Sequence, residues 1–253
     1  MILCLRPEPD GSEDVTELTR LGIEALPLPM LTISYTGGQD EQLCRPDIAD
    51  FYQGLVITSK QASRFLSAQT ETRPQLARLP VWCVGRGSAE ILRQRGYQLA
   101  YTGSGTARDL ATAISEQALA EDGPFLWLSG RDIHVDIGAC LADTQISVDR
   151  LVIYQADAAI PDREAVYDYL TSGGPVAAVV FSARTLMRFD SWLDEQAPLA
   201  NKEQITILAA SPALAEQARQ AGFAVRQAAR PDRQTVLQLC QDWSDQQINK
   251  TLS

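Results

Sequence analysis

A single histidine, His134, serves a chain of 253 residues. A nucleophilic triad or a histidine-based zinc site would have to be built around that one ring, and no Gly-x-Ser-x-Gly elbow accompanies it. Coming after Arg131-Asp132, it reads as a surface or cap residue. The five cysteines, Cys4, Cys44, Cys83, Cys140 and Cys240, contain no C-x-x-C pair. Their odd number and mostly apolar surroundings read as reduced, buried core thiols in a reducing compartment. Basic blocks are missing too: 22 Lys and Arg stand against 32 Asp and Glu, a net charge of −10. Such a chain has no long-range attraction to nucleic acid or anionic lipid. No apolar run approaches the roughly 20 residues of a membrane span. Met1 leads straight into Ile-Leu-Cys-Leu with no basic leader or cleavage site, so the expectation is a soluble, cytoplasmic protein. There is no Walker A motif, and Gly85-Arg86-Gly87 lacks the third glycine of a dinucleotide loop. No cofactor and no metal are expected.

What is present is alternation. Short apolar runs at Ile2–Leu5, Ile23–Leu28, Gly54–Thr58, Val81–Val84, Leu99–Tyr101, Phe125–Leu128, Val148–Tyr154, Val176–Phe181, Thr206–Ala209 and Ala224–Gln227 predict strands. Helical spacing at 12–21, Ser59–Ala68, Ser88–Arg95, Thr106–Leu119, Val135–Leu141, Pro161–Leu170, Thr185–Trp192, Pro212–Gln220 and Thr235–Trp243 predicts helices between them. The polar tail Ser244–Ser253 is expected to fray. Alternating β and α with short connections implies parallel sheets covered by helices.

The alternation repeats. A shift of 126 places Ala89-Glu90 on Ala215-Glu216, Arg93-Gln94 on Arg219-Gln220 and Gly96-Tyr97 on Gly222-Phe223. A shift of 123 places Val56-Ile57-Thr58-Ser59 on Val179-Val180-Phe181-Ser182, and a similar shift brings Ile2–Leu5 near Phe125–Leu128 and Leu26–Leu31 onto Asp149–Tyr154. This period is far too long for a solenoid. It implies two similar α/β domains, with the repeat alone suggesting a cut near residue 122. A cleft between two such domains is the default ligand site.

Several strand-to-helix turns carry anion-binding chemistry: Thr58-Ser59-Lys60, Gly85-Arg86-Gly87-Ser88, Ser182-Ala183-Arg184 and Ser211-Pro212, with Leu128-Ser129-Gly130-Arg131 closing a fifth strand. Free N–H groups and the positive dipole end at a helix N-terminus suit carboxylates or phosphates, and adjacent Lys60, Arg86, Arg131 and Arg184 add charge-assisted bonds. The same serines also read as plain N-caps. Tyr154 ends an apolar run before Gln155-Ala156-Asp157. Its phenol suits the edge of a ligand site, or equally a strand residue with its hydroxyl bonded to backbone.

Taken in order, these segments resemble the uroporphyrinogen-III synthase family. Leu-Val-Ile-Thr-Ser at 55–59 matches the family's Val-Ile-Phe-Thr-Ser, and Val-Val-Phe-Ser at 179–182 its second copy. Val84-Gly85-Arg86-Gly87-Ser88-Ala89 is similar to Val-Gly-x-x-Thr-Ala, Leu128-Ser129-Gly130 to a Leu-x-Gly turn, Ile153-Tyr154 to a Val-Tyr, and Leu5-Arg6-Pro7 to an opening Thr-Arg-Pro. The likeness spans Ile2 to about Leu239. It departs at Ala210-Ser211-Pro212-Ala213-Leu214-Ala215, where the family has Gly-Pro-x-Thr-Ala, so that Ser211 replaces a glycine and Leu214 a threonine.

The resemblance implies two parallel-sheet α/β domains joined by a two-stranded extended linker, with the active site in the cleft between them. Residues 1–33 with 157–253 would form a discontinuous domain, 36–150 an inserted one, and 28–35 and 150–157 the linkers. It implies a monomeric, cofactor-free lyase of heme biosynthesis that cyclises hydroxymethylbilane, a linear tetrapyrrole with eight carboxylates, to uroporphyrinogen III with ring D inverted. Tyr154 would be the catalytic acid. Arg6, Thr58, Ser59, Lys60, Gly85, Arg86, Ser88, Gly130, Arg131, Ser182, Ala183, Arg184, Ser211, Ala213 and Leu214 would bind substrate. A tetrapyrrole- or small-anion-binding protein without turnover is the alternative, and a scaffold protein a third reading.

Overall fold

Short apolar runs bounded by Gly, Pro and Ser form strands buried on both faces, and the amphipathic stretches between them form the covering helices. In the computed structural model, which describes residues 1–36, 40–103, 105–162 and 164–252, the chain opens with β1 (Ile2–Cys4), α1 (Asp10–Arg20), β2 (Ala25–Pro27) and β3 (Leu31–Tyr35). There follow α2 (Glu41–Cys44), α3 (Ile48–Phe51), β4 (Gly54–Ile57), α4 (Lys60–Gln69), β5 (Val81–Cys83), α5 (Arg86–Arg93), β6 (Leu99–Thr102) and α6 (Ala107–Gln117). Next come β7 (Phe125–Gly130), α7 (Ile137–Cys140), β8 (Val148–Ala158), α8 (Glu164–Thr171), β9 (Val176–Val180) and α9 (Ala183–Gln196). The chain ends with β10 (Ile205–Ala209), α10 (Pro212–Gln220), β11 (Ala224–Gln227) and α11 (Arg233–Leu252).

Two compact units result: Met1–Thr32 with Asp157–Ser253, and Ile33–Ala156. The first holds a sheet of order β11-β10-β9-β1-β2, and the second a sheet of order β3-β8-β7-β4-β5-β6. All four strand pairs of the first sheet are parallel, as are β8–β7, β7–β4, β4–β5 and β5–β6 in the second. Placing β7 on β1, β8 on β2, and β4, β5 and β6 on β9, β10 and β11 superposes the two strand orders, which is the same correspondence that the shifts of 123 and 126 define in sequence. The two repeats have exchanged their leading βαβ segments. A cut near residue 122 would sever β4 from β7, which pair from Gly54↔Phe125 to Ile57↔Leu128. Residues 37–39 and 104, inside the expected 36–150 domain, and Arg163, inside the expected helix Pro161–Leu170, lie outside the described residues.

Each central strand serves two layers, because successive side chains point to opposite faces. Leu55, Ile57, Leu126 and Leu128 join one core cluster with Leu66, Cys83 and Leu92, while Val56, Phe125 and Trp127 join the other with Trp82, Ile114 and Leu141. In the first unit Ile2, Leu3, Val179, Phe189, Leu208 and Val236 share one core. Taking such a side chain fully out of water stabilises the fold by about 1.5–3 kcal/mol.

The sequence reading needs four corrections. α1 begins at Asp10, not at residue 12, because its acidic first turns face inward: Arg6 reaches Asp10 at 3.0 Å and Asp14 at 3.1 Å, and Arg233 of α11 reaches Asp14 at 2.6 Å. α5 begins at Arg86 behind Gly85, so buried Ser88 lies in its first turn and is not its cap. The tail does not leave the helix at Ser244: α11 runs to Leu252, with no Gly or Pro to end it and with Gln246 bonded to Arg226. Only Cys4, Cys83 and Cys240 are buried; Cys44 and Cys140 end the short helices α2 and α7 and are exposed.

Burial sets an alkaline limit on this core. It pushes the Cys4 and Cys83 thiols up to about 12 and raises Cys240 as well. Burial and the Asp149 carboxylate together push the Tyr52 phenol up to about 12. The unfolded chain therefore releases its thiol protons first, from about pH 8.5, and then its phenol protons near pH 10. Stability is full below pH 8 and is lost as pH rises toward the folded-state values. Urea midpoints are expected to fall steadily from pH 8 to pH 10.5; a constant midpoint over that range would contradict the account.

Candidate functional site

In an open parallel sheet the ligand edge is where strand order reverses, outside the carboxyl ends of the strands. In the second unit β4, β5 and β6 proceed one way and β7 and β8 the other, so the reversal lies between β4 and β7. Thr58 and Ser59 follow β4 there, and Gly130 ends β7. A cavity of about 440 Å³ opens at this place, lined by Thr58, Ser59, Val84, Gly105, Thr106, Trp127, Gly130, Asp132, His134 and Tyr154 among others.

Tyr154 arrives by strand register. β8 shifts against β7 between Ser129 and Gly130, which sets Tyr154 opposite Gly130. A Cβ on residue 130 would stand 2.6 Å from the Tyr154 ring, so only glycine permits this approach. The loop leaving β7 is pinned: Arg131 N donates to Tyr154 O at 2.8 Å, and Arg150 Nη2 donates to Gly130 O and Arg131 O at 2.8 Å each. Arg150 Nε also donates to Ser129 Oγ at 2.9 Å, and its guanidinium lies 5.3 Å from the centre of the Trp127 ring. Tyr35 closes on Tyr154 edge-on at 6.4 Å and donates its own hydroxyl to Gln61 Oε1 at 2.9 Å.

The hydroxyls around the cavity are already occupied as acceptors. Ser59 Oγ accepts from Ala62 N at 3.1 Å, capping α4, and from the Tyr154 hydroxyl at 3.0 Å. Thr58 Oγ1 accepts from Trp127 Nε1 at 3.1 Å, and Thr106 Oγ1 caps α6 by accepting from Asp109 N at 3.1 Å. A hydroxyl has one proton to give, and among the described residues these three protons have no acceptor. The cavity is therefore a donor-rich pocket at two helix N-termini, suited to an oxygen acceptor such as a carboxylate. Burial raises the Tyr154 phenol above its ordinary value; the Ser59 bond lowers it and Asp132 raises it. Tyr154 thus holds its proton at neutral pH and acts as a hydrogen-bond donor.

The other residues singled out in the sequence fall into two groups. Lys60 opens α4 and packs over Gly87, where an added Cβ would lie 2.8 Å from its Cε. Gly85 stands before α5 with no side-chain cap, Arg86 is exposed on the first turn, and Arg131 is exposed on the loop after β7. In the first unit the strand order reverses between β1 and β9. Arg6 lies just beyond β1, but its guanidinium is held by Asp10 and Asp14 and stacks 4.6 Å over Phe181. Ser182 caps α9 through Thr185 N at 3.1 Å, with Ala183 and exposed Arg184 in the first turn. Ser211 caps α10 through Leu214 N at 3.4 Å; Ala213 is exposed, and Leu214 is buried in the core. Sequence reasoning passed over Trp127, Thr106 and Arg150. An arginine inside the apolar run of β8 was the available signal. His134, read as a surface or cap residue, is exposed yet lines the cavity.

Fold and cavity together define a class: parallel α/β units whose ligand edge is walled by hydroxyls and helix ends instead of a nucleotide loop. Among the described residues no cluster of His, Cys, Asp and Glu is placed to hold a metal, and no helix is long and apolar enough to cross a membrane. The profile of the HEM4 family, uroporphyrinogen-III synthase HemD, matches residues 12–238. The chain belongs to the uroporphyrinogen-III synthase family. A uroporphyrinogen-III synthetase from Helicobacter pylori 26695 has a similar structure, with TM-score 0.63 and 14% identity over 96% of this chain and 98% of that one. A mutant uroporphyrinogen III synthase from the extremely thermophilic bacterium Thermus thermophilus gives TM-score 0.58 and 16% identity over 98% of both chains. At these identities the likeness carries the fold alone. No curated protein sequence matches the chain.

Gly130→Ala tests the packing of the site. The methyl group must displace the Tyr154 ring and with it the bond to Ser59. Overpacking of this kind costs about 1–3 kcal/mol, so a lowered thermal midpoint is expected together with a changed near-ultraviolet tyrosine signal. A variant with wild-type stability and spectrum would show that the approach of Tyr154 to residue 130 is unimportant.

Proposed function

We propose that this chain closes hydroxymethylbilane into uroporphyrinogen III, acting as a cofactor-free cyclising hydro-lyase, as a monomer, in the cytoplasm. The observation that carries the reading is the Tyr154–Ser59 hydrogen bond of 3.0 Å beside the donor-lined cavity at the strand reversal. In this chemistry the hydroxyl on ring A leaves as water and an electrophilic azafulvene remains. Ring D attacks through its substituted carbon to give a spiro intermediate, which fragments and recombines with ring D inverted. Pyrrole nitrogen lone pairs drive each step.

The protein's part is to hold both ends of a flexible substrate in the inverting geometry, which lowers the entropic cost of closure. The cavity hydroxyls and the turns of the same unit at Thr58–Lys60 and Gly85–Ser88 supply donors for carboxylates. Tyr154 and Ser59 direct a hydroxyl donor at the departing oxygen. Unassisted closure occurs without inversion, so the isomer formed reports the protein's action.

Incubation with freshly made hydroxymethylbilane, followed by oxidation and separation of isomers, is expected to give mainly type III product. Tyr154→Phe is expected to lower that turnover about 10- to 100-fold with the fold intact. Type I product alone, at the rate without protein, would contradict the cyclase reading and favour a tetrapyrrole binder. Unchanged kinetics in Tyr154→Phe would remove the phenol from the mechanism.

A further inference from the structure

Expelling a hydroxyl as water needs a full proton, and Tyr154 already donates its hydroxyl proton to Ser59 Oγ at 3.0 Å. Its phenol is raised by burial, with a smaller contribution from Asp132 in the same direction. Three titratable side chains line the cavity: Asp132, His134 and Tyr154. An ionised carboxylate only accepts hydrogen bonds. Imidazole, by contrast, both gives and takes a proton between about pH 5 and 8, the range in which general acids and bases work best at neutral pH.

The loop carrying His134 is held along its length. Arg150 and Tyr154 O fix its start at Gly130–Arg131, as described. Ile133 packs against the cluster that contains Trp127. Asp136 Oδ1 accepts from Ala139 N at 3.1 Å, which caps α7 and fixes the far end. His134 therefore lines the cavity from a fixed loop while remaining exposed, so its ring can re-equilibrate its proton with water.

We propose that His134 is the general acid that protonates the departing hydroxyl of ring A and the base that later removes the proton from ring D, an inference that rests on the cyclase reading. The C–O bond of the hydroxymethyl group breaks with its electron pair on oxygen, and that oxygen takes the imidazolium proton and leaves as water. The pyrrole nitrogen lone pair stabilises the carbon left behind as an azafulvenium, whose positive charge Asp132 favours from the same cavity wall. After recombination at the unsubstituted α-carbon of ring D, the proton on that carbon passes to the neutral imidazole as the ring becomes aromatic. One water is lost, the imidazolium is restored, and no oxidant or reductant is consumed. Tyr154 and Ser59 hold the leaving oxygen while His134 supplies the proton.

The test uses the full chain and two variants, His134→Gln and His134→Ala, in the isomer-resolved assay from pH 6 to 9. The other titratable groups lining the cavity are Tyr154 on β8 and Asp132 on the loop of His134, and Arg131 and Asp136 also lie on that loop. Wild-type kcat for type III product is expected to fall as pH rises from 6 to 9, the direction that loss of a general acid's proton requires. His134→Gln is expected to lose about 100-fold in kcat at neutral pH, with KM nearly unchanged and the pH limb flattened. Free imidazole is expected to restore at least a tenth of the lost activity to His134→Ala. Wild-type kcat in both variants would overturn the proposal. So would reduced kcat that keeps the wild-type pH limb and does not respond to imidazole, the pattern of a merely structural residue. A wild-type chain that yields only type I product removes the cyclase reading, and this inference with it, before any variant is compared.

Discussion

The pairing of β4 with β7 is the contact on which the site depends. Those strands lie some 70 residues apart in the chain, Gly54 opposite Phe125, and belong to different copies of the internal repeat. Without that pairing Thr58 and Ser59 would have no Gly130 beside them, and Tyr154, carried in on β8, would have no hydroxyl to meet. The matching contact in the other unit, β1 with β9 from Ile2↔Ala177 to Cys4↔Val179, likewise joins the two copies and sets Arg6 against Phe181. Non-local parallel pairing is slow to form because its loop-closure entropy must be met before the contacts reward it. The long apolar strands, buried on both faces, supply the return.

Charge limits the ways in which an acidic chain would hold the polyanion proposed as its substrate. A net charge of −10 gives no general attraction to carboxylates. On the proposed reading, recognition falls to short-range donors: hydroxyl protons left over after Ser59, Thr58 and Thr106 have accepted bonds, and N–H groups at helix ends. Such donors act over hydrogen-bond distances and only where water is thinned, which favours binding at the strand edge over binding elsewhere on the surface. Arg6, the most obvious cation in the opening segment, is instead a structural ion. It is locked between Asp10 and Asp14, with Arg233 sharing Asp14. Removing one member of such a cluster leaves the others poorly compensated.

Much of the architecture was legible because apolar runs and turn residues report strands directly. The α/β class, the alternation and the repeat could be read from spacing, and Ser59, Ser182 and Ser211 do cap their helices. What escaped had non-local causes. The polar start of α1 looked unlike a helix because its partner, Arg6, lies upstream, on the far side of Pro7-Glu8-Pro9. The exchange of βαβ segments leaves no trace in periodicity, and the discontinuous domain was implied by the family resemblance instead of by spacing. Within the site, the hydroxyl of Tyr154 could be placed at a ligand edge or on backbone; it meets Ser59, a side chain 95 positions away. Arg150, Trp127 and Thr106 matter through partners on other strands and loops, and His134 through the loop that carries it, so residue spacing alone could not assign them.

The central claim is that Tyr154 and Ser59 work as one hydrogen-bonded unit at the strand reversal. A double-mutant cycle on type III turnover with Ser59→Ala, Tyr154→Phe and the double variant tests it most directly. If the pair acts as a unit, the double variant will lose about as much kcat as the more damaging single variant. A loss equal to the product of the two single effects would show that the residues act independently, and would contradict the account.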